Sequence, residues 1–274
     1  MSIGTHVFGG KEVHIGVQAL SDDHKECECC QIFTHGPRNK NSNMKPKTIA
    51  ALTESVANGM RIYVHSSYPT ALVGGSAHID AQLEMAKTIG AKGLVIHIPK
   101  KLPAELIDGI VRSTMNAGGV KILLEMKAVK PDDKSYESAA KIKVLIELMK
   151  GAGLVPEKVG ICIDTAHIYA GKMDIVSAAS ASAYLKDFEG DEWEPWIALL
   201  HLNGNQYDSQ LRAGDKHAIP FSDVDKIWNG VPFEDSGLLK FARWFVERKK
   251  DVILELKPVL GNVDAFLSRI LTAV

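Results

Sequence analysis

The chain has 274 residues, 46% hydrophobic and 24% charged, with a formal net charge of −1. This composition excludes general disorder and low-complexity architecture, and the length suits one (β/α)8 domain, a fold of about 250 residues. The near-neutral charge excludes whole-molecule attraction to nucleic acid, so any such attraction must come from local clusters.

In chain order, THVFGG from Thr5 and CQIF from Cys30 read as the first two strands. Six apolar runs follow, and each ends in a residue able to bind divalent metal: YVH at His65, LVIH at His97, ILLE at Glu125, ICID at Asp164, LLH at His201 and VILE at Glu255. Runs without polar alternation suit strands buried on both faces. Helical periodicity fills the gaps, beginning at Thr48, His78 and Pro103, each pattern stopping at glycine. Further helices are expected from about Ser135 to Lys150, Asp174 to Lys186, Ser236 to Lys249 and Asn262 to Val274. Eight strands alternating with helices predict a single α/β domain over residues 1–274, a (β/α)8 TIM barrel with its chemistry at the carboxyl ends of the strands. Residues 203–233 form the longest irregular segment, a length that usually carries function.

No apolar stretch reaches the roughly 18 residues needed to span a bilayer, and the N-terminus enters a strand almost at once. The expectation is a soluble intracellular protein of cytoplasm or nucleus, with no membrane partner and no signal peptide. Of the four cysteines, Cys27 and Cys30 have C-x-x-C spacing that suits a redox pair or half a zinc site, but no second pair completes it. The alternative is small buried residues, Cys30 and Cys162 in strands with Cys27 and Cys29 in the preceding turn.

The ligand inventory is larger than one ion needs. VGICIDTAHIYAG adds His167 three residues after Asp164, and GDKHAIP adds Asp215 and His217 two apart, on one side of an extended chain. With His65, His97, Glu125, His201 and Glu255 the set holds five histidines and four carboxylates. A catalytic zinc takes about three protein ligands, so nine ligands with bridging carboxylates imply two or three ions. Histidine-rich donors without thiolate favour zinc, manganese or iron. His6 is expected to support a ligand or a phosphate, and His14, His24, His35 and His78 to be surface or capping residues. Arg38, Lys40, Lys45, Lys47, Lys100, Lys101, Lys127, Lys130, Arg212 and Lys216 fall in segments after strands. Such residues suit either a solvated rim or a polyanionic substrate. A cluster rich in positive charge suits a phosphodiester.

At these residues the chain resembles the endonuclease IV family of metal-dependent apurinic/apyrimidinic endonucleases, over essentially its whole length. ICIDTAHIYAG, HLN at His201 to Asn203, and Asp-Lys-His at Asp215 to His217 are similar to that family's motifs, with VHSSY, LVIH, ILLE and VILE in corresponding order. The resemblance implies three zinc ions per chain, with manganese or iron as candidates at one position. His65 and His97 would bind one ion, Glu125 would bridge, Asp164, His201 and Glu255 would complete the second, and His167, Asp215 and His217 would hold the third. Glu125 and Glu255 would be catalytic. The implied reaction is hydrolysis of the phosphodiester 5' to an abasic site in double-stranded DNA, leaving a 3'-hydroxyl and a 5'-deoxyribose phosphate, by a monomer. Arg38, Tyr68 and Pro69 match the family's DNA-opening loops, where an aromatic and an apolar wedge replace stacking lost on nucleotide flipping.

Departures from the family pattern are Ser66 and Gly204 where aspartates are usual, Met126 and Leu256 after the two glutamates, and Ile98-Pro99 in place of a Pro-Gly turn. THGPRN and ICIDTAHIY resemble compact viral members. Two alternatives remain at this stage. One is a sugar isomerase or epimerase of the xylose-isomerase-like group, which the histidine excess and the Asp215/His217 pair argue against. The other is a catalytically silent DNA-binding protein that keeps the cluster for structure.

Overall fold

The computed structural model describes residues 3–38, 41–42, 44–68, 71–73, 76–99, 102, 104–127, 138–209, 214, 216–257 and 263–274. In chain order the elements are β1 (Ile3–Val7), α1 (Val13–Asp23), β2 (Cys29–Phe33), α2 (Pro46–Ala57), β3 (Arg61–His65), α3 (Ser76–Thr88), β4 (Gly93–Ile98), α4 (Ala104–Asn116), β5 (Lys121–Met126) and α5 (Ala139–Gly151). They continue with β6 (Val159–Asp164), α6 (Thr165–Ala170), α7 (Ala178–Lys186), β7 (Ile197–His201), the two-residue strands β8 (Gly204–Asn205) and β9 (His217–Ala218), α8 (Gly237–Glu247), β10 (Asp251–Leu254) and α9 (Val263–Ala273).

Eight strands close a parallel barrel in the order β1-β10-β7-β6-β5-β4-β3-β2, the (β/α)8 architecture expected from the strand runs. Each strand is buried on both faces, so its residues sort into two cores. The larger lies between strands and helices and includes Ile32, Ile62, Leu94, Ile122, Ile161, Leu200 and Val252. The smaller fills the barrel interior with Cys29, Tyr63, Val95, Leu123, Cys162, Leu199 and Ile253. Alternation along a strand then sets three levels. On β5 the inward row is Lys121 at the bottom, Leu123 in the middle and Glu125 at the top; on β10 the same row runs Asp251 and Ile253 and continues to Glu255.

The bottom is tied by one carboxylate. Asp251, 1% exposed, accepts from Arg61 through Nε and Nη2 at 2.8–3.2 Å, from the Tyr63 hydroxyl at 2.7 Å and from Lys92 at 2.9 Å. Burial pushes its pKa up, but the Arg61 hydrogen bonds and the Lys92 charge hold it below the usual aspartate value.

Several sequence expectations need correction. α1 has no counterpart among the expected helices; it buries only Val13, Val17 and Leu20, a narrow stripe on an otherwise polar segment. The helix expected from Asp174 to Lys186 is α7, which starts only at Ala178 behind a Ser177 cap, and α6, directly after β6, has no counterpart among the expected helices. Cys29 lies inside β2, not in a turn before it. His24 and His35 are buried rather than superficial. The long segment after β7 contains the antiparallel β8/β9 pair. Among the described residues, no helix is long and apolar enough to cross a membrane.

Candidate metal centre

Parallel strands deliver their last inward side chains to one mouth, and there the sequence-predicted ligands meet. His65 Nε2 lies 3.3 Å from Glu125 Oε2 and 3.6 Å from Glu255 Oε1, and His97 Nε2 lies 3.1 Å from Glu125 Oε2. His201 Nδ1 is 3.3 Å from Glu125 Oε1, 3.5 Å from Glu255 Oε2 and 3.8 Å from Asp164 Oδ2, while His217 Nε2 is 3.5 Å from Asp164 Oδ2. Three overlapping donor sets result, His65/His97/Glu125, Glu125/Asp164/His201/Glu255 and Asp164/His167/His217, each with its atoms within 4.8 Å of one another. Cys162, one level below, joins Glu125 and His201 in a fourth set, so a thiol is nearer the cluster than the sequence suggested. Asp215 and Pro69 lie outside the described residues, as do Lys40, Lys100, Lys101, Lys130 and Arg212.

Outer partners fix the imidazole tautomers. A carbonyl only accepts, so Nδ1 of His65 donates to Ser66 O at 2.7 Å, Nδ1 of His167 to Met126 O at 2.7 Å and Nδ1 of His217 to Glu255 O at 2.9 Å. The Nε2 lone pairs therefore carry the remaining function. Gln31 orients His201 the other way round. Its amide Nε2 donates to Glu255 Oε1 at 3.1 Å, so its Oε1 accepts from His201 Nε2 at 2.9 Å and leaves Nδ1 for the cluster. Lone pairs set against carboxylate oxygens repel unless a cation or proton stands between them. Two ligands of a tetrahedral zinc, each about 2.0–2.2 Å from the ion, lie roughly 3.3–3.5 Å apart. The observed 3.1–3.6 Å separations match that spacing and exceed the 2.7–2.9 Å of a charge-assisted hydrogen bond, so the donor set fits metal.

Charge follows geometry. Burial disfavours a charged His65, yet Glu255 and Glu125 raise its pKa to about 9; His201 is raised, also against burial, by Glu125 and Glu255. Burial alone would raise Glu125 and Glu255, but the surrounding histidines hold both well below the usual carboxylate range. His6 differs, because burial takes it down to about 4. It accepts from Gln31 Nε2 at 3.0 Å, lies 3.5 Å from Glu255 and stacks on Phe8, so it braces the Glu255 side of the cluster as a neutral ring.

Asp164 serves two elements. Its Oδ1 caps α6 by accepting from the backbone of Ala166 and His167, and its Oδ2 faces the cluster and accepts from Asn203 Nδ2 at 2.8 Å. The other end of that amide, Asn203 Oδ1, accepts from Glu255 N at 2.8 Å and so joins the ends of β6, β7 and β10. Gln31, Asn203 and Asp225 are the residues whose roles the sequence did not assign. Asp225, buried in the loop after β9, accepts from the backbone N–H of Asn205, Phe221, Ile227 and Trp228 at 3.0–3.1 Å. A Cβ on Gly204 would lie 2.7 Å from its Oδ1, so the place of a side chain after HLN is already taken by this carboxylate. The available signal for Gln31 was a polar residue inside an apolar strand.

Above the cluster is a cavity of about 200 Å3, lined by Phe8, Phe33, Tyr68, Gln206, Lys216 and Lys257 together with the ligands themselves. Tyr68 is half exposed, stacks over His97 and donates its backbone N–H to Pro37 O, which ties the Tyr68 loop to the one bearing exposed Arg38. Lys47, by contrast, lines a groove with residues of α1 and α2. Cys27 and Cys30 stay apart from the donor sets, and burial pushes each thiol up to about 12, so neither is a ready thiolate.

No family model matches the chain. It is similar to a protein named "Probable AP endonuclease" from African swine fever virus (isolate Tick/Malawi/Lil 20-1/1983), 29% identical over 240 residues, 82% of this chain and 77% of that protein. Among solved structures it matches "The crystal structure of AsfvAP:AG" with a TM-score of 0.81 at 21% identity, covering 99% of this chain and 96% of that one. Endonuclease IV from Thermus thermophilus follows with a TM-score of 0.75 at 22% identity, covering 100% and 98%. A xylose isomerase domain-containing protein from Salmonella typhimurium reaches 0.62 at 13% identity, covering 99% and 94%. The barrel is therefore endonuclease IV-like.

Proposed function

We propose that this endonuclease IV-like chain is a metal-dependent endonuclease of DNA repair, which hydrolyses the phosphodiester 5' to abasic sites in duplex DNA and leaves a 3'-hydroxyl and a 5'-deoxyribose phosphate. The observation that carries the proposal is the three overlapping donor sets, in which the imidazole lone pairs of His65, His167, His201 and His217 point inward and His97 Nε2 lies 3.1 Å from Glu125. His65, His97 and Glu125 hold one ion; Glu125, Asp164, His201 and Glu255 a second; Asp164, His167 and His217, with Asp215, a third. Zinc suits these donors, with manganese or iron as the alternative at one position. Bound ions would activate water and offset charge on the scissile phosphate.

The chain's own groups do the remainder. Lys216, Lys257 and Gln206 line the mouth where phosphate oxygens must approach. Tyr68 and Arg38 are exposed on joined loops and meet the duplex beside the extruded nucleotide, with Pro69 next in sequence. An isomerase needs one or two ions, and the Asp164/His167/His217 set gives it no use, so the likeness to a xylose isomerase domain reflects the barrel alone.

The test is incision of a duplex carrying one abasic site, with and without chelator, by wild type and Glu255→Gln. Wild type nicks only at the abasic position and stops on chelation, and the variant keeps the fold but loses nicking. One bound ion per chain, no nicking and interconversion of ketose and aldose would instead establish the isomerase.

A further inference from the structure

At the end of the barrel opposite the metal donors, the strand starts enclose a cavity of about 230 Å3. Of its ten lining residues five are cations, Lys92, Lys121, Arg248, Lys249 and Lys250, and none is a carboxylate. Tyr63 and Leu123 also line it, and Leu123 belongs to the interior apolar level on which the metal donors sit at the other side. The two sites are thus on one axis and physically separate.

The nearby acids are already engaged. Asp251 is taken by Arg61, Lys92 and Tyr63, and Glu194 accepts from Arg248 Nε at 3.0 Å. Lys250 Nζ is held by the neutral carbonyls of Glu194 and Ile197, which fix its position without cancelling its charge. The Lys121 ammonium makes no hydrogen bond or ion pair among the described residues; the Glu157 charge favours its protonated form without pairing with it. Burial, with the Lys92 charge adding to it, pushes Lys121 downward, and Lys250 is taken to about 8 by burial with Lys121 and Arg248 adding to it. Lys92 and Arg248 have carboxylate partners, but Lys121, Lys249 and Lys250 have none within ion-pair distance among the described residues, and their mutual repulsion is what an anion would remove.

A second observation points to the same cavity. Lys249 has φ of 55°, the left-handed conformation, and closes α8 through Lys249 N to Val246 O and Lys250 N to Phe245 O, both 2.9 Å. Helices that end this way ordinarily place glycine there. This chain places a lysine there, and that lysine lines the cavity.

We propose that the bottom mouth of the barrel is a second ligand site, for a compact, multiply charged oxyanion of the phosphate class, held by Lys121, Lys249 and Lys250 with Lys92 and Arg248 at its edge. The site is independent of the metal centre and of the reaction assigned there.

The probe is inorganic phosphate, titrated calorimetrically into the metal-loaded full chain at an ionic strength held constant with chloride. Phosphate also meets the metal centre, so two variants separate the sites. Lys121→Met removes the uncompensated cation, and Lys249→Gly removes a second while relaxing the left-handed residue, so that variant folds at least as well as wild type. Each is expected to raise the phosphate dissociation constant of one site at least tenfold, with nicking and its inhibition by phosphate unchanged. Equal phosphate binding by all three proteins, or binding in wild type only where phosphate competes with DNA, would overturn the proposal.

Discussion

Replacing Gln31 with leucine tests whether the outer partners of the cluster set its affinity for metal. Gln31 is fully buried and touches no ion site directly, but its amide meets His201 at 2.9 Å and Glu255 at 3.1 Å. Leucine keeps most of the volume and suits β2, so the barrel survives. What is lost is the acceptor for His201 Nε2–H and the donor to Glu255. His201 is then free to adopt the other tautomer, with its proton on the Nδ1 that faces Glu125 and Glu255. Losing a single outer partner of a metal ligand typically costs 10–100-fold in affinity or activity. That range corresponds to about 1.4–2.8 kcal/mol, close to what leaving one buried donor unsatisfied costs.

The assay is metal content after competition with a chelator of graded strength, paired with nicking at limiting and excess metal. The Gln31→Leu protein should release ions at about 10–100-fold lower chelator strength and regain part of its activity in excess metal. Gln31→Glu should retain an acceptor for His201 but set a second carboxylate against Glu255, and so weaken metal retention as well. If Gln31→Leu holds its ions as tightly as wild type and nicks at the same rate, the tautomer argument is wrong, and the lone-pair geometry that supports the proposed function goes with it.

Asp251→Asn should cost about 1–3 kcal/mol at neutral pH, because it removes the buried anion that partly buried Arg61 and exposed Lys92 share, while Arg61 keeps Glu28 at 3.1 Å. Since the folded carboxyl sits below the aspartate reference of 3.8, its contribution is present above that pH and fades as pH falls through the lower folded value. Denaturant titrations at pH 7 and pH 3 should therefore show the gap between the two proteins narrowing in acid, and a constant gap would refute the assignment. Gly204→Ala drives a Cβ to 2.7 Å from Asp225 Oδ1 and 2.9 Å from Ala218 O, an overpacking of about 1–3 kcal/mol that should lower the melting temperature. An unchanged melting temperature would mean the loop yields freely. DNA affinity should fall with salt at a logarithmic slope of roughly −0.9 per phosphate contacted, and Lys257→Met should make that slope shallower by about one. An identical slope in the variant would remove Lys257 from the DNA track.

The sequence made the strands and their terminal ligands legible for one reason: strands buried on both faces are apolar runs, and a histidine or carboxylate at the end of such a run stands out. The elements it concealed lacked that contrast. α1 has too few apolar residues to show its period, and α6 is six residues long and begins on Asp164, which reads as a ligand before it reads as a helix cap. Gln31 and Asn203 bind no metal by type, so only distances to Glu255, His201 and Asp164 disclose them. The lysines of the bottom mouth are dispersed, Lys92 just before β4, Lys121 at the start of β5, and Lys249 and Lys250 just before β10, and in sequence each looks like an ordinary solvated residue. Gly204 looked like a lost aspartate until the fold showed Asp225, 21 positions later, filling the space.

One periodicity governs both mouths. Along β5, Lys121, Leu123 and Glu125 point inward at every second position, and four residues at about 3.3 Å each carry the row about 13 Å from the cationic end to the metal end. A slip of β5 by one residue would turn all three outward and place Ile122 and Leu124 inside. The barrel interior would still be apolar at its middle level, but the metal mouth would lose the carboxylate common to three of its four donor sets and the bottom mouth its unpaired cation. Register is therefore specified by polar residues at both ends of the strand as well as by its apolar centre. The pairing of His97 with Glu125 and of Gly93 with Lys121 across β4 and β5 places both ends in the same frame. The site and the fold are in this sense one specification, which is why a reading of strand ends alone could reach the chemistry before it reached the packing.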